Sequence, residues 1–552
     1  ISATTWSSYT AKRRYFPYFY TIDTYSPISD EYTLFILNST SGQAYLGGVE
    51  PYRNATNHYY FEGRFNWERE FNKHHLGLMT VFTAEQSLLT GGNSSNIFET
   101  LPERNLGNSG RFTYDYDSRY FFEFVYGYNG SEKFSGKHRF GFFPSIGGGW
   151  LISNEPFWGS IKDVFSLLKL KLTYGKVGND AIAGRAARFW FLSDISTGSG
   201  GGYTWGNSFQ TSYGGYNINR IGNPDMTWEI SDKINLGFEF GFFKNEILKL
   251  NVDFFKDTRS RIYSVRSNIP STAGWSTLPS GNAGQAKSHG IDGSIDFQHS
   301  FTEDFWLTGR LNVTYAKNKY TKLDELNYPY AYLQRVGNPI NQLYGLIAER
   351  LFVDQAEIDN SPKQDFGPYM AGDIKYKDVN NDGVVNSYDI VPMGFPGVPE
   401  VQYGFGASIG YKKFDFSFFF QGNARTSFFI SSSAITPFVN RQNSLSFIAD
   451  SYWSESNPDV HAFFPRLSTS IVNNNSQASS WWLRDGSFLR LKTIEAGYNT
   501  SAISALFNAR IYFTCENAFV LSAFKLWDPE VGSNGLNYPL NRSFNIGVQL
   551  SF

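Results

Sequence analysis

Apolar and polar side chains alternate with a period of two along most of the chain. Phe61, Gly63, Phe65 and Trp67 alternate with Glu62, Arg64, Asn66 and Glu68, and Leu76, Leu78, Thr80 and Phe82 repeat the pattern after the short link Asn72 to His74. Side chains in a strand point to opposite faces in turn, so this pattern predicts half-buried strands joined as a hairpin. Phe112, Tyr114 and Tyr116 turn at Asp117 and Ser118 into Tyr120, Phe122, Phe124, Tyr126 and Tyr128. Ile234 to Phe242 turns at Lys244 and Asn245 into Leu248 to Phe254, and Ile291 to Phe297 turns near Thr302 into Phe305 to Tyr315. Phe405 to Tyr411 meets Phe414 to Phe420 across Lys412 and Lys413. Leu168 to Tyr174 and Ile494 to Tyr498 fit single strands. About fifteen strands follow from this pattern, with one or two more before residue 50, for instance Tyr32 to Asn38.

The links between strands are sorted by length. Tight turns alternate with long polar segments at 86–107, 179–227, 258–288, 319–401, 425–487 and 520–542. The exception on the short side is 153–166, where Ile161 to Leu168 reads as a helical turn. A soluble sandwich has no reason to sort its links in this way, whereas a transmembrane barrel has short periplasmic turns and long extracellular loops. The chain ends on Phe544, Ile546, Val548, Leu550 and Phe552, alternating with polar or small residues. A regular last strand suits a sheet that must leave no unpaired edge in lipid. The fold class expected is therefore all-β, a transmembrane antiparallel β-barrel.

Composition agrees. The 552 residues include 18% aromatic side chains and 18% charged ones, an excess that the aromatic girdles of a barrel would use. Forty-eight Lys and Arg stand against 50 Asp and Glu, a formal charge of −2, so no basic field attracts nucleic acid. Cys515 is alone and excludes an intrachain disulfide framework or thiolate metal cluster. No apolar run is long enough to span a bilayer as a helix. Ile1 is followed by no charged and apolar leader, so a secretion signal is expected to be removed or to lie upstream.

The sharpest local motif is Asp378-Val-Asn380-Asn-Asp382-Gly383-Val384, closing at Asp389. Oxygen side chains at the first, third and fifth positions, glycine at the turn, a carbonyl from Val384 and a carboxylate from Asp389 have the spacing of a calcium loop. The bland alternative is an Asx-rich turn that caps its own backbone. No long helical pattern flanks it, so it is not a paired EF-hand; the spacing makes a structural Ca2+ in an extracellular loop the expectation, with Asp in place of the usual Glu at the last position.

The stretch Gly372 to Asp389, followed by Gly394 and the strand pair ending at Gln421 and Gly422, resembles SusC/RagA-type TonB-dependent outer-membrane transporters. YGYNGSEKF at Tyr126 to Phe134, RFGFFPSIGGGWLISNE at Arg139 to Glu155 and LKLKLTYGKVGND at Leu168 to Asp180 strengthen the resemblance. So do WEISDKINLG at Trp228 to Gly237 and LRDGSFLRL at Leu483 to Leu491. These runs cover most of residues 58–552 in family order. The resemblance implies localisation in the cell outer membrane, a plugged barrel of about 22 strands, a SusD-like surface lipoprotein as lid, and TonB-driven import of oligosaccharides or, in some members, peptides. It also implies an N-terminal extension, a TonB-contacting segment, a plug and first strands that are not recognisable in Ile1 to Glu50. Residues 1–552 are then expected to be the C-terminal barrel portion, about 15–17 strands, with about six strands and the plug supplied elsewhere. A longer chain is the favoured source and a second polypeptide the alternative.

Ligand contacts are expected on aromatic faces in the long loops and lumen, with Trp205, Trp275, Tyr328, Tyr330, Trp481, Trp482 and Trp527 as candidates. Seven scattered His and the absence of H-E-x-x-H, G-x4-G-K-[ST] and G-x-S-x-G argue against an enzyme. Two rival readings remain: a passive porin or scaffolding barrel, and a secreted all-β carbohydrate-active enzyme.

Overall fold

A computed structural model describes residues 1–91, 101–182, 188–197, 202–208, 211–439, 443–504 and 507–551. Its body is one 16-stranded antiparallel sheet in which every strand pairs with its neighbour in the chain's wall order. The wall strands are β1 (Ser2–Lys12), β2 (Glu50–Phe71), β3 (His74–Gly91), β4 (Glu103–Tyr116), β5 (Tyr120–Ser131), β6 (Phe140–Leu151), β7 (Phe165–Asn179) and β8 (Glu229–Phe242). They continue as β9 (Leu248–Val265), β10 (Ser280–Ser300), β11 (Phe305–Lys322), β12 (Val401–Tyr411), β13 (Phe414–Ala424), β14 (Phe488–Ser504), β15 (Phe507–Ser522) and β16 (Ser543–Ser551). β1 and β16 are each paired along one edge only.

The register explains the alternation. Trp67, Leu78, Phe112, Phe124, Ile146, Tyr174 and Ile234 stand directly opposite one another on successive strands and form one continuous outer row. A second row runs through Leu168, Phe240, Leu250, Ile295, Leu311, Phe405, Phe420, Leu491 and Phe519. A one-residue slip anywhere would turn a strand's apolar set inward, so each row fixes the pairing of the next strand. The inner rows carry the charged and polar side chains, with a few small or aromatic ones among them. Lys249, Asp296, Arg310, Gly406, Phe419 and Thr493 share one of them.

Tight links occupy one rim and elaborate ones the other, as the link lengths predict. Three details differ. The wall strand before residue 50 is Ser2–Lys12, aligned with Glu50–Tyr60, whereas Glu31–Ile36 pairs with Tyr20–Ser26 as a hairpin off the wall. Trp6 and Tyr9 are the only large apolar side chains that Ser2–Lys12 offers. The long edge of β2 recruits it regardless, a tertiary override of weak local pattern. The helical turns of the 152–164 link are Ile152–Asn154 and Pro156–Ile161, earlier than Ile161 to Leu168. Pro156 starts the second one, because a first helical position needs no N–H, and Phe165 already belongs to β7. The links at 86–107 and 258–288 are shorter than expected, because β3 and β4 run to Gly91 and from Glu103, and β9 and β10 run to Val265 and from Ser280. Pairing continues through these extensions, with Gln86 opposite Arg104 and Ser264 opposite Gly281.

Candidate functional site

Three loops on the elaborate rim fold into one body. Residues 323–400, 425–487 and 523–542 contribute Leu351, Ile374, Tyr376, Ile448, Trp482 and Phe524 to a common core. The first loop reaches the second through Leu351 N, which donates to Val460 O at 2.9 Å, and the second reaches the third through Ser431 N to Ser533 O at 2.9 Å. Polar groups at the centre are paired. Gln364 Nε2 donates to Asn474 Oδ1 at 2.7 Å, Tyr376 Oη donates to Asn474 O at 2.7 Å, and Asp373 accepts from Asn475 Nδ2 at 2.7 Å. Burial pushes the Asp373 carboxyl up, against Arg466, the Met370 amide and Asn475, which pull it down. Tyr376 is also pushed up by burial. Glu357 is the reverse case: burial raises its carboxyl, but the Val353 amide, Lys375 and Arg350 outweigh that and hold it below the usual range.

The Asp378 loop lies on this cap. Gly383, with φ +86°, takes the sharp turn that its position in the motif requires, and its N–H donates to Asp378 Oδ2 at 2.8 Å. Asn380 Nδ2 donates to Asp382 Oδ2 at 2.8 Å, and Asp382 Oδ1 accepts from Val384 N at 2.9 Å. Asp389 is fully buried behind the turn, where its oxygens accept from Val379 N at 2.7 Å and Asn386 N at 2.8 Å. Asp378, Asn380 and Asp382 therefore gather at one turn, while Asp389 is occupied by backbone amides. Among the described residues no three carboxylate, His or Cys side chains converge as a metal set. One ligand-competent atom is free of protein partners, since Asp378 Oδ1 is buried and makes no hydrogen bond.

The aromatic candidates fall into two groups. Trp205 and Trp275 are open to solvent at 59% and 53% exposure, and Tyr328 and Tyr330 are half-buried, Tyr330 stacking on Tyr332 at 5.5 Å. Trp481, Trp482 and Trp527 are cap packing. Trp482 is 1% exposed and donates to Asn475 O, Trp481 donates to Phe463 O at 3.1 Å, and Trp527 donates to Gly532 O at 2.8 Å against the Phe524 ring. The ring of Trp482 has no face left for a ligand.

Below the cap, the inner wall is studded with ion pairs. Arg111 and Glu123 meet at 2.7 Å, Lys171 and Glu239 at 2.7 Å, and Arg310 and Asp296 at 2.5 Å. Arg510 bridges Asp415 and Glu495. Arg490, 3% exposed on β14, reaches up to Asp528 at 2.6 Å and Glu530 at 2.5 Å, tying the third loop to the inner wall. Sequence reasoning missed these inner-wall groups. The signal was present in the polar member of each alternating pair, but only the register shows which of them meet.

A family model described as TonB dependent receptor-like, beta-barrel, matches residues 2–518. The chain is 28% identical over 498 residues to TonB-dependent receptor P26 of Formosa agariphila, covering 83% of this chain and 48% of that protein. It is 26% identical over 459 residues to TonB-dependent receptor SusC of Bacteroides thetaiotaomicron, covering 80% of this chain and 43% of the relative. The chain thus spans about half the length of the curated relatives it matches. Among solved structures, that of the RagAB peptide transporter superposes with a TM-score of 0.68 at 20% identity, covering 91% of this chain and 56% of the other. At that identity the likeness concerns the fold.

Proposed function

Because the chain belongs to the TonB dependent receptor-like β-barrel family, we propose that it forms the wall and mouth of an importer of the SusC/RagA type, taking up oligosaccharides or peptides. Membership makes it an outer-membrane β-barrel chain and not an enzyme. Among the described residues no helix is long and apolar enough to cross a membrane, so crossing falls to the strands.

The observation that carries the importer reading is the division of the wall into two faces. Continuous apolar rows lie outside, ion-paired polar rows lie inside, and a packed cap sits over one end of the polar passage. In this reading a SusD-like lipoprotein rests on the cap rim. A plug and a TonB-contacting segment, supplied by sequence outside these 552 residues, provide gating and energy. Trp205, Trp275, Tyr328 and Tyr330 are the proposed rim contacts for substrate. A Ca2+ ion at Asp378, Asn380, Asp382 and the Val384 carbonyl stiffens the cap. The unpartnered Asp378 Oδ1 supports that ion, and Asp389 contributes by bracing the turn from behind.

Uptake by cells expressing the complete receptor tests the reading. Accumulation of labelled oligosaccharide or peptide is expected to stop when the proton gradient is collapsed or TonB is deleted. Uptake that persists would replace the importer by a passive porin.

A further inference from the structure

We propose that the inner wall across β11, β12 and β13 carries a subsite for a ring of a neutral, polyhydroxylated ligand, an inference that rests on the importer reading and selects the glycan branch of it. A cavity of about 300 Å³ opens here, and its lining includes Asn312, Gln402, Gln421, Asn423, Phe419 and Glu530 of the third loop. That volume is at the lower end of the range for small-ligand pockets.

The register assembles it. Asn312, Gly404 and Gln421 stand opposite one another in one row, and Thr314, Gln402 and Asn423 in the next. Adjacent strands lie about 5 Å apart and same-face residues about 7 Å apart along a strand, so the four amides form a small lattice on one face. A single six-membered ring presents its hydroxyls over such distances. Gly404 makes room for its neighbours, since a Cβ there would lie 2.7 Å from Asn312 Oδ1 and 2.8 Å from Phe419 Cζ. The Phe419 ring reaches over Gly404 beside the Asn312 amide, and its face or edge suits the C–H surface of a sugar.

The lattice has spare bonding capacity. Asn423 Oδ1 is buried without a partner, and among the described residues no side-chain hydrogen bond involves Asn312, Gln402 or Gln421, although the neighbouring Thr314 is bonded to Asp292. A side-chain amide sets a donor beside an acceptor, and a hydroxyl is both. Each amide can therefore satisfy a ligand hydroxyl in either sense.

Charge and backbone weigh against a peptide. Arg490, in the row of Gln421, is taken by Asp528 and Glu530, and Arg310 one row away is taken by Asp296. Neither guanidinium is left over for a carboxyl terminus or an acidic side chain. Each of the three strands is hydrogen-bonded on both sides, so no free edge can accept an added peptide strand.

The test is calorimetric titration of the complete receptor in detergent with neutral hexasaccharides of α-glucan, β-glucan, β-mannan, xylan and fructan, and with a mixture of octapeptides. At least one hexasaccharide is expected to bind, with affinity falling tenfold or more in Phe419→Ala and in Gln402→Ala with Gln421→Ala, while the heat-dependent electrophoretic shift of the folded barrel is kept. Gln421→Leu, close in size, carries the test if Phe419→Ala does not fold. Unchanged affinity in folded variants, no hexasaccharide binding, or weakening of peptide binding alone would overturn the subsite. Uptake indifferent to the proton gradient would end the importer reading and leave the subsite standing. Gradient-driven sugar uptake with unaltered affinity in the variants would do the reverse.

Discussion

Asn475 Nδ2 donates to Asp373 Oδ1 at 2.7 Å, joining two residues 102 positions apart. The same carboxylate oxygen lies 2.8 Å from Arg466 Nε and is wholly shielded from solvent. A buried charge of this kind is tolerated only while its partners are in place. Asp373→Ala strands Arg466 and Asn475 together, and is expected to destabilise the cap by about 3–5 kcal/mol. Protease nicking within residues 323–487 should rise while the wall still shows its heat-dependent electrophoretic shift. Equal nicking in wild type and variant would show that the pair does not hold the loops.

The cap also responds to acid through Glu357. Its Oε atoms accept from Arg350 at 2.6 Å and Lys375 at 2.9 Å, and from the Val353 amide at 2.9 Å. Its folded pKa is lowered, so the stability it contributes is complete above its ordinary value of 4.5 and is lost as pH falls through the lower folded value. Asp373 has the opposite sign: its raised pKa favours the protonated folded form, so acid does not weaken the cap through it. Hydrogen-exchange protection of the Gln355–Asp359 helix should therefore hold above about pH 4.5 and drop as pH falls below it. In Glu357→Gln it should be low and nearly flat. A matching drop in that variant would assign the acid response elsewhere.

Metal removal separates the two readings of the Asp378 loop. If an ion holds the turn, chelation of wild type and the double substitution Asp378→Ala with Asp382→Ala should each increase cleavage between residues 360 and 400. If hydrogen bonds such as Gly383 N to Asp378 Oδ2 suffice, the substitutions alone should act and the chelator should not. Cleavage indifferent to both removes the metal.

The two faces of β13 can be told apart by charge. Phe418 sits in an outer row between Ala407 and Ile494, and Ser417 faces inward between Ser408 and Glu495. Phe418→Arg is expected to cost about 2–4 kcal/mol in detergent-supported unfolding, the magnitude for a cation on the lipid face. Ser417→Arg should change stability by no more than about 0.5 kcal/mol. Equal costs would mean that the outer rows pack against protein.

What the sequence reveals depends on whether a residue's neighbours are local. Phe414 to Phe420 announces itself because the two sides of its strand meet different solvents, and the alternation is a property of a few consecutive residues. Ser2–Lys12 lacks that contrast and is placed by the free edge of β2. Trp482 looks like a ligand contact in a polar loop, but its indole N–H is spent on Asn475 O inside a core made by three loops distant in sequence. The amide lattice is equally hidden, because Asn312 and Gln421 share a face only through a register that crosses three strands. Motif spacing predicts the turn at Gly383 but not the amides that claim Asp389, because those depend on the residues just behind the turn.

The loops that share the cap core begin and end on β11 to β16, so six neighbouring staves of the wall are strapped at their upper ends by one brace. Sideways pressure from surrounding lipid on any one stave is thereby spread over the other five. At the opposite rim a link as short as Lys412 and Lys413 ties only its own pair, which leaves the base of the wall freer to breathe than its crown.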